Sequence, residues 1–295
     1  MVQRDVHHVR MILCCNHIAW NFEIHQNRPK LPWLMLIHGF MGSGRVFTPL
    51  MKRLKQFCNP VTVDFPGHGE SGGGPNSERY RTERLTDSLQ ILVSRLGHSP
   101  LFLHGYSMGG RLALQYAISH QNQLKGLILE SSTAGIGQEW QREERRKLDE
   151  ERAIQILSNY PLFLERWHRL SLFQPRPGVN NETENRGTRR HRLYEQIMRE
   201  QSPQAIAAVL RGFGTGSMPS LVHRLQDLYL PVCLLSGEAD EKFCSIHTDM
   251  NQLLPDSRLR IVPGSGHRVH LDRPALWANE IETFINHVNH ELDTE

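Results

Sequence analysis

Six short apolar runs punctuate the chain, and each ends in a loop rich in Gly, Asp, Ser or His. Residues 34–37 precede His38-Gly39-Phe40-Met41-Gly42, and residues 61–63 precede the stretch from Asp64 to Ser71. Residues 101–103 precede Gly105-Tyr106-Ser107-Met108-Gly109-Gly110-Arg111, and residues 127–129 precede Glu130-Ser131-Ser132. Residues 232–235 precede Ser236-Gly237-Glu238-Ala239-Asp240, and residues 259–262 precede Pro263-Gly264-Ser265-Gly266-His267. Near-continuous apolar runs of this length predict strands buried on both faces of a parallel sheet. In such a sheet the following loops share the carboxyl edge, where ligands bind. The pattern therefore predicts an α/β fold with a mostly parallel central sheet and helices on both faces.

The rhythm breaks between Ala134 and Pro219. This stretch is rich in Arg, Glu and Gln and carries no good strand candidate. Helical periodicity appears around Ala153, Ile154, Ile156 and Leu157, and again around Leu193, Ile197 and Met198. Residues 175–190 read as an irregular surface loop. Strand–loop units resume after Tyr229, which favours a helical cap inserted into the sheet domain over a separate helical domain. The expected organisation is a first core part at 1–133, a cap at 134–219 and a second core part at 220–295. The first thirty residues are expected to supply outer strands.

Gly105-Tyr106-Ser107-Met108-Gly109 has the G-x-S-x-G form of a sharp strand-to-helix turn with a serine at its apex. The glycines leave room for a strained serine backbone. The helix N-terminus puts partial positive charge where an anion would form. A serine hydroxyl becomes reactive at neutral pH through a histidine that takes its proton and a carboxylate that orients the histidine. Asp240 and His267 follow at later strand ends. Asp64, Glu238 and Glu241 are rival acids; His270, His287 and His290 are rival bases. The backbone N–H groups of Met108 and Phe40 are candidates for an oxyanion hole. His38 reads as a packed structural histidine. Arg111 lies one helical turn after Ser107, and a cation there suggests an anionic substrate or product.

Composition narrows the class. The chain has 295 residues, 39% hydrophobic and 22% charged, with a net charge of +3. No basic tract is interleaved with aromatics, so nucleic acid is not an expected partner. No run of eighteen apolar residues suggests a membrane span. The N-terminal residues lack the apolar region of a signal peptide, and five scattered cysteines read as reduced thiols, so a cytoplasmic protein is expected. Among 17 histidines there is no HExxH and no paired CxxC, so no catalytic metal is expected.

The blocks around His38, Asp64 and Ser107 resemble the α/β-hydrolase superfamily. Four further stretches are more particular: the elbow with Arg111, residues 130–135, the segment from Glu144-Arg145 to Asp149, and Gly237-Glu238-Ala239-Asp240-Glu241-Lys242-Phe243. Together they resemble the 2-succinyl-6-hydroxy-2,4-cyclohexadiene-1-carboxylate synthases. The resemblance implies an α/β-hydrolase fold and a lyase that eliminates pyruvate from 2-succinyl-5-enolpyruvyl-6-hydroxy-3-cyclohexene-1-carboxylate, in menaquinone or phylloquinone synthesis. It implies that Ser107, Asp240 and His267 abstract a ring proton, with no metal or organic cofactor. It also implies a small polycarboxylate substrate held by Arg111, Arg145 and Arg199, with Tyr106 and Trp167 as aromatic walls. A monomer or small homo-oligomer fits this reading. The alternative is a serine hydrolase acting on a carboxylate-bearing ester or a carbon–carbon bond. A non-enzymatic ligand receptor on the same fold is weakened by the presence of all three candidate catalytic residues.

Overall fold

The computed structural model describes residues 8–173 and 189–292. Each apolar run forms a strand: β3 (Trp33–Ile37), β4 (Asn59–Val63), β5 (Leu101–Tyr106), β6 (Leu124–Glu130), β7 (Val232–Gly237) and β8 (Ser257–Val262). They pair in parallel. β1 (Val9–Cys15) and β2 (Ile18–Ile24) precede them as an antiparallel hairpin. The hairpin turns through Asn16 and His17, both at positive φ (50° and 63°), as the right-handed strand twist requires of a two-residue loop. The sheet order is β1-β2-β4-β3-β5-β6-β7-β8, with the hairpin as its outer edge.

β4 and β5 are buried throughout because helices cover both faces. β8 closes the opposite edge and is half exposed; Arg258 and Arg260 there discourage pairing with another chain. Leu89 of α2 (Thr82–Leu96), Leu112 of α3 (Met108–His120) and Met250 of α8 (Glu241–Leu253) pack in one apolar layer. Leu54 of α1 (Met51–Leu54), Leu271 of α9 (Val269–Asp272) and Trp277 of α10 (Pro274–Leu292) pack in the other.

Between β6 and β7 lie α4 (Glu139–Ser158), α5 (Tyr160–His168), α6 (Arg189–Arg199) and α7 (Pro203–Phe213). Local chemistry starts two of them. The Asn159 side chain accepts from the Leu162 N–H to cap α5, and Ser202 caps α7 by accepting from Ala205, each next to a first-turn proline. The segment read as a loop at 175–190 lies outside the described residues except for Arg189 and Arg190, which open α6.

Buried histidines make the fold sensitive to acid. His247 of α8 is fully buried; its Nε2 accepts from the Ser132 N–H (3.2 Å) and its Nδ1 donates to Ser236 Oγ (2.7 Å), which locks the neutral tautomer. Burial is the main cause of a pKa lowered to about 4. The unfolded chain, with an ordinary histidine near 6.5, binds the extra proton first, so this contribution is complete above about pH 6.5 and is lost as pH falls towards 4. Unfolding free energies from urea titrations are expected to be flat above pH 6.5 and to drop below it, by up to about 3 kcal/mol from this residue, with the midpoint falling in step. A midpoint unchanged from pH 7 to 4.5 contradicts this account.

Candidate active site

Ser107 sits in the link between β5 and α3 with φ 51° and ψ −107°, a strained conformation for a residue with a side chain. Its backbone is held from both sides. The Ser107 N–H donates to the Glu130 carbonyl (2.8 Å), and its own carbonyl accepts from Ser132 Oγ (2.9 Å) and the Arg111 N–H (3.1 Å). The flanking glycines permit the close crossing of strand and helix. A Cβ on Gly109 would lie 2.5 Å from the Ile37 and His38 carbonyl oxygens, and one on Gly105 would lie 2.5 Å from the Gly109 carbonyl oxygen.

Asp240 and His267 arrive from the loops after β7 and β8. One Asp240 oxygen caps α8 by accepting from the Phe243 N–H (3.3 Å); the other accepts from His267 Nδ1 (2.7 Å). That bond puts the His267 proton on Nδ1 and leaves Nε2 as an acceptor for Ser107 Oγ, 3.1 Å away. Ser107, His267 and Asp240 thus form one hydrogen-bonded line, able to remove a proton from the serine or, through it, from a bound molecule.

The rivals have other work. Asp64 accepts from the Gly44 N–H (2.6 Å), Asn21 Nδ2 (2.9 Å) and the Glu70 N–H (2.8 Å), bracing the loops below the site. His38 Nε2 accepts from the Phe65 N–H (2.9 Å) and its Nδ1 donates to the Gly39 carbonyl (2.7 Å), so it is structural as expected. Glu238 accepts from the Gly264 N–H (3.0 Å). His287 lies on α10 beside Arg258 and Glu291, and His290 is on the same helix.

His270 is fully buried with Glu130 and His104. One Glu130 oxygen accepts from the His270 backbone N–H (3.0 Å) and Nδ1 (2.7 Å); the other accepts from His104 Nε2 (3.1 Å) and Trp277 Nε1 (2.8 Å). Burial pushes the Glu130 carboxyl up, but His270 and His104 outweigh it and hold the group well below the usual carboxylate range. The remaining ring atoms, His270 Nε2 and His104 Nδ1, are buried without a hydrogen-bond partner among the described residues.

Ser107 opens into a cavity of about 170 Å³, several times the roughly 30 Å³ share of one water, so it can admit an organic ligand. Phe40 and Met108 line it, and Met108 opens α3, where a backbone N–H has no partner within the helix. Tyr106 and Trp167 line it as well. The Tyr106 ring lies 5.5 Å from the His267 ring, and Trp167 lies 5.6 Å from Phe40.

Arg111 and Arg145 face this cavity. Arg111 Nη1 donates to the Phe213 carbonyl (2.8 Å), with the guanidinium over the Phe213 ring (5.2 Å). Burial first, and Arg145 second, lower its pKa to about 9, against the pull of Asp149. It remains a cation at neutral pH. Arg145 Nε donates to Asp149 (2.8 Å). Arg199 is a correction. It lies exposed at the end of α6 and does not line the cavity, because the buried face of that helix is formed by Tyr194, Ile197 and Met198.

Three cations escaped the sequence reading: Arg152, Lys242 and Arg268. Two signals were present. Arg145, Asp149 and Arg152 share the i, i+4, i+7 face of α4, and Arg152 meets Asp149 at 3.6 Å. Lys242 and Arg268 stand within two residues of Asp240 and His267. Burial and the neighbouring Arg145 lower the pKa of both Arg152 and Lys242, the mark of crowded like charge.

Among the described residues, one cluster has metal-ligand chemistry: His8, Glu23 and His25. It lines no part of the cavity. Glu23 pairs with Arg10, and His25 Nε2 is bonded to Thr62. No helix of the described residues is long and apolar enough to cross a membrane.

Residues 32–274 match the family described as the alpha/beta hydrolase fold, and the chain belongs to that class. A Bacillus subtilis (strain 168) relative, provisionally named 2-succinyl-6-hydroxy-2,4-cyclohexadiene-1-carboxylate synthase, is 34% identical over 86% of this chain and 90% of its own. The synthase of that name from Pectobacterium atrosepticum is 29% identical, covering 88% and 96%. The structure of MenH from S. aureus superposes with a TM-score of 0.81 at 30% identity, covering 92% of this chain and 98% of that one. Within the α/β hydrolases, the chain belongs to the 2-succinyl-6-hydroxy-2,4-cyclohexadiene-1-carboxylate synthase family.

The tight elbow makes a specific demand. Gly109→Ala is expected to lower unfolding stability by about 1–3 kcal/mol or more, because its Cβ meets backbone carbonyls that cannot yield. Calorimetry checks this; an unchanged melting temperature contradicts it.

Proposed function

We propose that this protein eliminates pyruvate from 2-succinyl-5-enolpyruvyl-6-hydroxy-3-cyclohexene-1-carboxylate, giving 2-succinyl-6-hydroxy-2,4-cyclohexadiene-1-carboxylate for menaquinone or phylloquinone synthesis. Ser107 Oγ, its proton drawn by His267 Nε2, takes the proton from the ring carbon beside the succinyl ketone. The ketone oxygen gains the negative charge and is met by the Met108 and Phe40 N–H groups. The ring carbon–oxygen bond then breaks, the conjugated diene forms, and the enolate of pyruvate departs and is protonated. Asp240 keeps His267 in the tautomer this cycle needs.

The observation that carries this reading is the charge around the cavity. Arg111, Arg145, Arg152 and Lys242 crowd together; among the described residues Asp149 is the acid hydrogen-bonded among them, while Asp240 is engaged by His267. Such an excess suits a substrate with several carboxylates. Residues 134–219 act in this scheme as a cap, since α4, α5, α6 and α7 each contribute to the cavity lining. The same reading makes the protein a cytoplasmic enzyme acting as a monomer or small homo-oligomer.

The purified protein, given the enolpyruvyl substrate, is expected to release pyruvate and develop the ultraviolet absorbance of the diene. Ser107→Ala should lower kcat/KM by about a thousandfold or more. Absence of pyruvate together with brisk hydrolysis of small aryl esters would favour the serine-hydrolase reading instead. Arg111→Ala is expected to remove about 2–4 kcal/mol of transition-state stabilisation, read as kcat/KM, while leaving hydrolysis of any neutral ester far less affected. Arg199→Ala, at an exposed position, is expected to change kcat/KM by less than about threefold. A loss as large as that of Arg111→Ala would return Arg199 to the site.

A further inference from the structure

We propose that Arg268 forms a second carboxylate-binding subsite, separate from the Arg111, Arg145 and Arg152 cluster, so that the cavity holds two carboxylates of one ligand at once. This rests on the reading of the cavity as a polycarboxylate site.

Arg268 directly follows His267 and lines the same cavity. Its guanidinium carbon lies over two rings, 4.3 Å from the centre of Phe173 and 4.4 Å from that of Tyr194. The Tyr106 and Tyr194 hydroxyls are beside it. These neighbours fix the group and strip water from it, yet none neutralises its charge. Among the described residues no carboxylate pairs with Arg268, and its Nε is buried without a hydrogen-bond partner. Arg145 and Arg152, by contrast, share Asp149, and Arg111 is turned onto the Phe213 carbonyl.

A guanidinium stacked on rings presents its N–H groups along its edge, the direction from which a carboxylate makes paired bonds. Arg268 lines the cavity without a counter-charge among the described residues, and a ligand carboxylate would supply one. The two charged regions stand apart. Arg152 lies over Trp167 (5.5 Å), the Trp167 and Phe173 rings are 5.8 Å apart, and Arg268 lies over Phe173. Two aromatic rings thus separate them, and His267 lies 5.7 Å from the nearer ring. A ligand spanning both would need carboxylates at its two ends, with the intervening carbons held beside Ser107 and His267. Arg268 is accordingly a residue that selects for length and charge.

The test is calorimetric titration with the α,ω-dicarboxylates from succinate to suberate, and with monocarboxylates of matching length, at one fixed ionic strength. The wild-type protein is expected to bind the dicarboxylates that span both regions at least about tenfold more tightly than their monocarboxylate counterparts. Arg268→Gln should abolish that gain while leaving monocarboxylate binding within about threefold. Arg268→Lys keeps the charge but loses the planar fork, and should retain part of the gain; it also serves should the glutamine variant fold poorly. With the enolpyruvyl substrate, Arg268→Gln should raise KM about tenfold or more with little change in kcat. Equal dicarboxylate binding by wild type and Arg268→Gln, or no gain with length in the wild type, overturns the proposal. A length-dependent gain in a protein that releases no pyruvate leaves the subsite standing and removes the lyase reading. Pyruvate release without the gain does the reverse.

Discussion

The Glu130 carboxylate lies wholly inside the molecule with four N–H donors around it, two from His270, one from His104 and one from Trp277. Four donors match the four lone-pair directions of a carboxylate, so its hydrogen-bonding capacity is filled although it is buried. The same residue accepts the Ser107 backbone N–H through its carbonyl. Its side chain meanwhile holds the segment three residues beyond His267. One residue at the end of β6 therefore joins the strand that presents the serine to the loop that presents the histidine. Tyr106 packs edge-on against His270 (4.7 Å) and completes the joint. The 3.1 Å approach of His267 to Ser107 depends on this buried support.

The sheet was legible because apolar runs and loop punctuation are local signals. All six runs from residue 34 onwards became strands, and the first thirty residues supplied the outer hairpin. Ser107, Asp240 and His267 were also legible, since each stands at a strand end with distinctive neighbours. Arg199 was not, because a helix buries one stripe and exposes the rest, and spacing along α6 alone does not say which stripe faces the site. Glu130 shows a deeper limit. In sequence it is one more acid after a strand, and its importance comes from His104, His270 and Trp277, brought to it from up to 147 residues away. Arg268 was overlooked although it stands next to His267, because its surroundings come from Phe173 and Tyr194 on distant segments.

The site divides its labour between scaffold and insertion. Ser107, Asp240 and His267 stand on links between strands and helices of the sheet domain, where both ends are anchored. Arg145, Arg152, Trp167 and Tyr194 come from the helices between β6 and β7. Arg111 bridges the two parts: it grows from α3 behind the serine and donates to the end of α7. A change in those inserted helices can reshape what is bound without disturbing the hydrogen bonds among Ser107, His267 and Asp240.

The charge of this cavity has a reach beyond contact distance. The whole chain carries a net charge of only +3, yet Arg111, Arg145, Arg152, Lys242 and Arg268 share one concave surface. Low-dielectric walls focus the field of such a group outward through its mouth. An anion diffusing past is drawn in before it touches the protein, whereas a neutral molecule of the same shape gains nothing. Dissolved salt shortens that reach to about 8 Å at physiological ionic strength. The rate of capture, and not only the strength of holding, is therefore set by where these five side chains stand.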